Sequence, residues 1–317
     1  MRPCISVGNI SWGGTGKTPL CLWLLTFCHQ KGLLPLLLSR GYKGSALSYP
    51  LVVSPGISPY VCGDEPYLLQ QEAPYAKIVV DPRRERGLKW AWRAFKPDII
   101  ILDDGFQYRR LDRDLDLVLL STQDLSLHWN KLIPVGTWRE DHTALKRAHC
   151  FLINYTGQEN TEKLEELIEE RLFSFQVPIF TFRVIAKEVV EIHSQRRSYP
   201  SQRPYILVAG IGNPEKVKKT ALDLFGYPPA RFITFPDHHR YSPADWRSIS
   251  GIARSLRAEI VCTPKDAVKL RTLTSDDCYT FLLDIQWEKG YCPPGISFST
   301  WLSGKSIFKD KSSHRDI

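Results

Sequence analysis

Continuous apolar runs, separated by stretches with helical character, dominate the first third of the 317-residue chain. A strand covered on both faces by helices is apolar throughout rather than alternating, and such strands are typical of parallel sheets. The runs lie at residues 4–7, 33–39, 78–80, 99–102 and 117–120. Similar runs return at residues 205–209, 231–235 and 259–262. The pattern therefore predicts an α/β protein built on a mostly parallel sheet.

Length and a change in composition predict two domains. A chain of 317 residues is long for one domain. Glu159–Leu172 is acidic and helical, and a polar stretch with two prolines ends at Pro204. We expect a nucleotide-binding core, a linker, a smaller C-terminal α/β domain and a charged tail, at residues 1–175, 176–203, 204–304 and 305–317 respectively.

The composition excludes several classes of protein. Apolar residues make up 43% and charged residues 24%, as in ordinary globular proteins. No run reaches the roughly 18 apolar residues of a membrane-spanning helix, and no signal peptide is recognisable. Eight cysteines without a CxxC pair predict reduced, structural thiols in the cytosol. The net charge of +8 favours an anionic partner or serves solubility alone.

The segment Ser11–Thr18 (SWGGTGKT) lies between the first apolar run and a helical stretch. Glycines let backbone N–H groups surround phosphate oxygens, and the start of the helix favours the same anion. We expect a nucleotide to be held by Gly13, Gly14, Thr15, Gly16, Lys17 and Thr18. Lys17 can reach the β and γ phosphates, and the Thr18 hydroxyl can hold Mg²⁺. Ser11 replaces the glycine of the strict pattern, and the alternative is a simple glycine-rich turn.

Two carboxylates, Asp103 and Asp104, follow the apolar run at residues 99–102. In a parallel sheet they would lie at the same edge as the glycine-rich loop. Carboxylates at this place can bind Mg²⁺ directly or through water. The alternative is a polar Asp-Asp-Gly turn that closes the strand. The loop makes the metal site the better interpretation.

Three further clusters each have a functional and a structural interpretation. Asp64 opens a helix, where an aspartate is also a common N-cap. The segment Phe235–Tyr241 contains Asp237 and His238, which could orient each other and move a proton, or form a polar loop. Thr263–Leu270 follows an apolar run and has the pattern of a loop that leads into a helix.

Taken together, these segments resemble the tetraacyldisaccharide 4′-kinase family of the lipid A pathway. The phosphate loop alone is generic, but the ordered set is specific. The matching segments are Val7–Asn9, Gly13–Pro19, Ser39–Tyr42, Gly63–Pro66, Asp103–Gln107, Pro134–Glu140, Ala209–Pro214, Asp237-His238 and Thr263–Leu270. The resemblance implies a P-loop NTPase-like core and a smaller C-terminal α/β domain, with the active site in the cleft between them.

The resemblance also implies a reaction and a place in the cell. The reaction is ATP-dependent phosphorylation of the 4′-hydroxyl of a tetraacylated glucosamine disaccharide 1-phosphate, which gives lipid IVA. Family members are peripheral proteins on the cytosolic face of the inner membrane. No nucleic-acid recognition module is found. A P-loop kinase with another small substrate and a nucleotide-switch ATPase are the alternatives, and the oligomeric state stays open.

The resemblance assigns a role to each candidate residue. Asp64 is the base, and His238 is its partner in a dyad that spans the two domains. Lys17 neutralises charge on the transferred group. The candidates for Mg²⁺ are Thr18, Asp103 and Glu140, with Asp104 in support. The candidates for contact with phosphate or substrate are Arg40, Arg84 and Gln107, for which simple surface solvation is the alternative.

The chain departs from the family pattern at three places. Tyr108 stands where the family has His, and Pro264 stands where it has Glu. Family members also carry an N-terminal apolar helix that binds the membrane, whereas this chain begins almost at the first strand. Three explanations are open. The start of the protein lies upstream of residue 1, the chain is shortened, or other surfaces bind the membrane. Arg83–Lys96, with Trp90, Trp92 and six basic side chains, is a candidate surface, and an ordinary core helix is its alternative.

Overall fold

The computed structural model describes residues 3–157, 159–198, 203–274, 277–292 and 295–308. The strands are β1 (Cys4–Asn9), β2 (Pro35–Ser39), β3 (Leu51–Val52), β4 (Lys77–Val80), β5 (Ile99–Asp103), β6 (Leu115–Ser121), β7 (Cys150–Asn154), β8 (Ile179–Glu191), β9 (Arg197–Ser198), β10 (Tyr205–Ala209), β11 (Arg231–Thr234), β12 (Glu259–Cys262) and β13 (Cys278–Gly290). The helices are α1 (Lys17–Gln30), α2 (Pro59–Cys62), α3 (Asp64–Glu72), α4 (Arg84–Phe95), α5 (Thr122–Leu125), α6 (Thr161–Leu172), α7 (Pro214–Phe225), α8 (Pro243–Leu256), α9 (Pro264–Leu270) and α10 (Phe298–Ser303).

The chain forms two compact units. Unit 1 comprises the described residues of Met1–Arg40, Tyr75–Val184 and Ile285–Ile317. Unit 2 comprises those of Gly41–Pro74 and Ile185–Asp284. The unit boundaries fall within β8 and β13, so each of these strands contributes residues to both units.

Unit 1 contains a parallel sheet with the strand order β8-β7-β6-β1-β5-β2-β4. Val7 of β1 lies opposite Asp103 of β5, two residues before β1 ends at Asn9. Because the strands are parallel, the residues that follow β1 and β5 emerge at the same edge. This edge carries the glycine-rich loop and the two aspartates, as the sequence predicts.

The core of unit 1 is formed by the apolar runs and by aromatic side chains that pack on them. Strands β1 and β5 are buried along their whole length, which explains why they are mostly apolar. One core cluster joins residues of β6 and β7 to α6 and to the loop that contains Trp138. Phe106 and Trp138 of this cluster are fully buried. The two rings lie in the segments that carry the site residues.

Unit 2 contains the parallel strands β11-β10-β12-β13, in that order. Helix α8 packs on β12 and α7 packs on β10, and a separate core cluster lies under each helix. Helix α3 packs against α9 in the same unit. The predicted α/β fold with a mostly parallel sheet is confirmed.

The domain boundaries differ from those expected. Strand β8 (Ile179–Glu191) runs through the expected linker at 176–203, which corrects that expectation: Ile179, Phe180 and Phe182 are buried strand residues. Residues 41–74, expected in the core domain, belong to unit 2 because α3 packs on α9. Of the expected tail, Ser306–Phe308 forms a short 3₁₀ helix, and residues 309–317 lie outside the described residues.

Among the residues that the structure describes, no helix is both long enough and apolar enough to span a bilayer.

Candidate active site

The glycine-rich loop of unit 1 adopts a backbone that only glycine takes readily. Gly13 has a φ of +124° and Gly16 a φ of +98°, both in the left-handed range. Gly16 caps α1, and a Cβ atom on it would lie 2.8 Å from Nδ2 of Asn154. The Thr15 N–H donates to the Gly13 carbonyl at 3.0 Å. The loop therefore turns tightly into the start of α1, as a phosphate-binding loop does.

A strand and a second loop of unit 1 hold this loop through hydrogen bonds. Asn154, the last residue of β7, donates from Nδ2 to the Thr15 carbonyl at 2.9 Å and is buried. The Trp12 N–H donates to the Thr137 carbonyl at 2.8 Å. Sequence reasoning missed Asn154, because nothing local links position 154 to position 15.

Lys17 lies among polar groups at the ends of β1 and β5. Its Nζ donates to Asn9 Oδ1 at 2.8 Å and lies 3.4 Å from Asp104 Oδ1. Arg139 donates to both carboxylate oxygens of Asp104, each at 3.1 Å, and to the Asn9 carbonyl at 2.7 Å. A lysine and an arginine thus share one carboxylate beside the loop. The sequence places Arg139 in a segment that matches the family but indicates no role for it. It also gives no sign that Asn9 is a hydrogen-bond partner of Lys17.

Asp104 is ionised by its cationic neighbours. Burial raises the pKa of Asp104, but Lys17 and Arg139 outweigh this effect and lower the pKa from 3.8 to about 2. Arg84 contributes in the same direction, and its guanidinium donates to the Asp103 carbonyl at 3.3 Å. Asp104 is therefore a charged, hard oxygen donor at neutral pH.

The four metal candidates do not all lie in equivalent surroundings. Asp103 is buried and its Oδ2 accepts from Ser39 Oγ at 2.9 Å, while Thr18 lies in the first turn of α1. Glu140 Oε1 accepts from Arg147 at 2.7 Å. The described parts of the chain hold no group of three or more His, Cys, Asp or Glu residues suited to a metal. Mg²⁺ usually takes one or two carboxylates and completes its shell with phosphate oxygens and water, so the hydroxyl and carboxylate donors near the loop fit it.

The three predicted substrate contacts also differ in accessibility. Arg40 follows β2 and is exposed, whereas Arg84 is buried. Burial lowers the pKa of Arg84, and the charge of Arg40 lowers it further against the opposing effect of Asp103. Gln107 donates from Nε2 to the Asn9 carbonyl at 3.0 Å. Tyr108, the departure from the family pattern, lies under the Arg84 guanidinium at 4.6 Å from ring centroid to Cζ and donates to Glu85.

Unit 2 carries the predicted dyad. Asp64 is the first residue of α3, and Nδ1 of His238 lies 3.1 Å from Asp64 Oδ2. Asp64 is 7% exposed, and His238 has a φ of +60°, which an L-residue adopts rarely. Both side chains line a cavity of ≈ 230 Å³, together with Lys43, Pro59, Tyr60 and Arg240.

Lys269 is a third member of this group, and sequence reasoning did not select it. Its Nζ lies 3.3 Å from Asp64 Oδ2 and 3.5 Å from Asp266 Oδ1, and its side chain is 1% exposed. Burial raises the pKa of Asp64, but the hydrogen bond from His238 and the charge of Lys269 outweigh it, so the pKa is lowered from 3.8. The available signal was the spacing of Asp266 and Lys269, which places both on one face of α9.

The prediction that the dyad spans two domains is wrong. Asp64 and His238 both belong to unit 2, because the segment 41–74 joins residues 185–284. Helix α3 is attached there by its packing on α9, by an ion pair of Glu65 with Lys265, and by a hydrogen bond of 3.2 Å from Arg271 to Gln71.

The Pro264 departure leaves the helix start intact. Pro264 occupies the first turn of α9, where a missing N–H costs nothing. Thr263 caps the helix by accepting from the Asp266 N–H at 3.2 Å. The segment thus keeps Asp266 and Lys269 in place without the family glutamate.

The chain is similar to proteins of one family. A family model described as tetraacyldisaccharide-1-P 4′-kinase matches residues 1–292. The tetraacyldisaccharide 4′-kinase of Nitratidesulfovibrio vulgaris is 42% identical over 281 residues, covering 88% of this chain and 78% of that protein. The enzyme of Oleidesulfovibrio alaskensis is 40% identical over 307 residues, covering 94% and 85%.

A solved structure shows the same fold. It is the crystal structure of LpxK from Aquifex aeolicus in complex with ATP, which is 29% identical and superposes with a TM-score of 0.72. The match covers 90% of this chain and 84% of that one. Since the family model spans residues 1–292 and relatives share 40% identity or more, this chain belongs to the tetraacyldisaccharide-1-P 4′-kinase family.

Proposed function

We propose that this chain transfers the γ-phosphate of ATP to the 4′-hydroxyl of tetraacyldisaccharide 1-phosphate and so forms lipid IVA. The observation that carries this proposal is the buried Asp64–His238 pair, with 3.1 Å between Oδ2 and Nδ1, on the wall of a cavity. A nucleotide switch needs a phosphate loop but no such base. Family membership supports the kinase activity, the ATP requirement and the lipid disaccharide substrate.

The glycine-rich loop is the proposed ATP site. Its N–H groups and the start of α1 would bind phosphate oxygens, and Lys17 would neutralise charge on the transferred group. Mg²⁺, bound with ATP, would balance phosphate charge; Thr18, Asp103 and Glu140 are its candidate ligands, with Asp104 in support. Arg139 holds Asp104 in place through two hydrogen bonds of 3.1 Å. The contribution of this ATP site to catalysis would be mostly positioning and electrostatic stabilisation of the transferred phosphoryl group.

Asp64 is the proposed general base. A sugar hydroxyl is a poor nucleophile, so a base must accept its proton as the phosphoryl group moves. The lowered pKa of Asp64 keeps its carboxylate ionised at neutral pH, which a base requires. His238 contacts Oδ2 and would stabilise the carboxylate in one orientation.

Arg40, Arg84 and Gln107 remain proposed contacts of anionic groups of the substrate. The exposed Arg40 is the most accessible of the three. Arg84 is held by the Asp103 carbonyl and the Tyr108 ring, so we assign it a supporting part.

Helix α4 is the proposed contact with the cytoplasmic face of the inner membrane. Trp90 and Trp92 are 40% and 38% exposed, although an ordinary core helix would bury them. Exposed tryptophans beside basic residues favour a membrane interface, and each well-placed Lys or Arg adds about 1 kcal/mol near an anionic surface. The eight free cysteines favour a reducing compartment.

The first test is phosphate transfer from γ-labelled ATP to tetraacyldisaccharide 1-phosphate in detergent micelles. We expect a labelled lipid from the wild-type chain and none from Asp64→Ala, with ATP binding retained in both. Absence of lipid product from a folded wild-type chain that binds ATP would refute the proposed substrate. Transfer that persists in Asp64→Ala would refute the role of the base.

The second test is sedimentation with anionic phosphatidylglycerol vesicles. We expect Trp90→Ser combined with Trp92→Ser to weaken binding at least about fivefold, since two interfacial anchors are lost. Leu222→Ser, on the amphipathic helix α7 and 43% exposed, is the control for loss of an exposed apolar group. Equal binding by both variants would exclude α4 as the contact surface.

A further inference from the structure

Lys269 places a cation in the interior of unit 2. Its side chain is 1% exposed, and a buried ammonium costs several kcal/mol unless carboxylates compensate it. Two carboxylates do so, Asp64 at 3.3 Å and Asp266 at 3.5 Å. The Tyr241 ring lies 5.5 Å from the ammonium. The chain thus maintains a costly buried charge next to the proposed base.

Asp266 is itself held rigidly and therefore anchors Lys269. Its Oδ2 accepts from the Gly210 N–H at 2.9 Å and from Thr263 Oγ1 at 2.6 Å. The other oxygen, Oδ1, faces Lys269. Asp266 is fully buried, so these contacts operate in a medium of low polarity. An anchored ammonium at this place has a defined position relative to Asp64.

We propose that Lys269 is a positioning residue that keeps the Asp64 carboxylate ionised and turns it toward the acceptor hydroxyl, an inference that rests on the function proposed above. Lys269 and His238 both contact Oδ2 of Asp64. An ion pair with Lys269 and a hydrogen bond with His238 on the same oxygen orient the carboxylate, which assigns Oδ1 to the substrate proton. Lys269 itself touches neither substrate nor nucleotide in this role.

Other titratable groups near Asp64 do not replace Lys269. The charge of Lys265 is paired with Glu65, and Tyr60 and Cys62 are neutral groups whose pKa values burial raises. His238 lies between Asp64 and Asp237, whose Oδ2 is 3.8 Å from its Nε2. Titratable and charged groups approach Asp64 from several elements. They are, from the loop after β2, Lys43; from α2, Tyr60 and Cys62; from the loop after β11, Asp237, His238 and Arg240; and from α9, Lys265, Asp266 and Lys269. Among these described groups, Lys269 is the fully buried cation in contact with the carboxylate.

The test is the pH profile of kcat for Lys269→Met, Lys269→Arg and a matched control, with lipid substrate and ATP saturating. Loss of an adjacent positive charge raises the pKa of a carboxylate by about one unit or more. We expect the acid limb of Lys269→Met to move to higher pH by about one unit, so that kcat falls roughly tenfold on the wild-type acid limb but less than about threefold above pH 8. Lys269→Arg, which keeps the charge, should leave the limb near its wild-type position.

The control is Lys218→Met, which removes an exposed lysine from α7 of the same unit. Its acid limb should not move. A merely structural Lys269 would lower thermal stability and the active fraction but leave the pH of the limb unchanged, and that result would overturn the inference. If Lys269→Met does not fold, the pH profile of Lys269→Gln is measured instead. The glutamine amide can donate to both carboxylates without carrying a charge.

These experiments distinguish failure of the proposed function from failure of the proposed role of Lys269. Absence of lipid phosphorylation by the wild-type chain means that the proposed function has failed. Wild-type transfer that Asp64→Ala abolishes, combined with an unmoved limb in the neutral Lys269 variants, means that only the role of Lys269 has failed.

Discussion

Nδ1 of His238 lies 3.1 Å from Oδ2 of Asp64, although 174 positions separate the two residues in the chain. Both belong to unit 2, where α3 carries Asp64 and the loop after β11 carries His238. The hydrogen bond helps to lower the pKa of Asp64 against the effect of its burial. The pair is therefore assembled within one compact unit of the chain.

We expect His238→Asn to reduce kcat for lipid phosphorylation by about 10²-fold, because a positioned acid–base group contributes about that much. The KM for ATP should change little, since Asp64 and His238 belong to unit 2 and the phosphate loop to unit 1. Steady-state kinetics with each substrate varied in turn checks this.

A neighbouring residue offers the control. His239 Nε2 lies 3.2 Å from Asp245 Oδ2, so it has a similar carboxylate partner outside the proposed site. His239→Asn should keep kcat within about threefold of the wild type, as for a substitution away from the chemistry. Equal losses in the two variants would show that the effect is structural.

Arg139→Met should make the stability of the protein less dependent on pH in the acid range. In the folded state the pKa of Asp104 is about 2 rather than 3.8, so its stabilising contribution is complete above the unfolded value and is lost as pH falls toward 2. Without Arg139 the folded pKa rises, and less of this contribution remains at neutral pH. Urea unfolding between about pH 7 and pH 3 should show a smaller pH dependence of stability in the variant.

Arg183→Met serves as the comparison, because Arg183 pairs with Glu288 at 2.9 Å in the same unit. Because that pair does not include Asp104, Arg183→Met should leave the pH dependence of stability in the acid range unchanged. An identical pH dependence in wild type and Arg139→Met would contradict the assignment of the Asp104 charge.

Gly16→Ala should destabilise the nucleotide-free protein by about 1–3 kcal/mol, since alanine is strained at a φ of +98°. The new Cβ would also lie 2.8 Å from Asn154 Nδ2, which supports the Thr15 carbonyl. Gly14→Ala is the matched control, because a Cβ there meets nothing within 4 Å. Chemical denaturation of the two variants should differ by more than about 1 kcal/mol; similar stabilities would mean that the turn is not strained.

Trp138→Phe should cost about 1–3 kcal/mol, because the buried Oδ1 of Asp124 loses its donor. In the structure the indole Nε1 donates to this oxygen at 3.1 Å, and Trp138 is fully buried. We also expect weaker ATP binding, since Trp138 immediately precedes Arg139. Calorimetric unfolding and ATP titration measure both effects, with Trp246→Phe in unit 2 as the control for trimming a buried ring.

Much of unit 1 was predictable because its signals are local. The loop between β1 and α1 is contiguous in sequence, and Asp103 follows an apolar run that must be a buried strand. Parallel pairing alone then brings the two segments to the same edge. The order of the matching segments, from residue 7 to 270, also predicted the family that the comparisons confirm.

Other features required contacts between distant segments. The sequence by itself determined the α/β class, the phosphate loop and the identity of Asp64 and His238 as candidates, because each depends on neighbouring residues or on segment order. Only the tertiary structure decided that 41–74 belongs to unit 2, that Asn154 supports the loop, and that Lys269 contacts Asp64. The physical reason is that a buried polar group takes whichever partner the packing brings within reach, and sequence spacing carries no information about that partner.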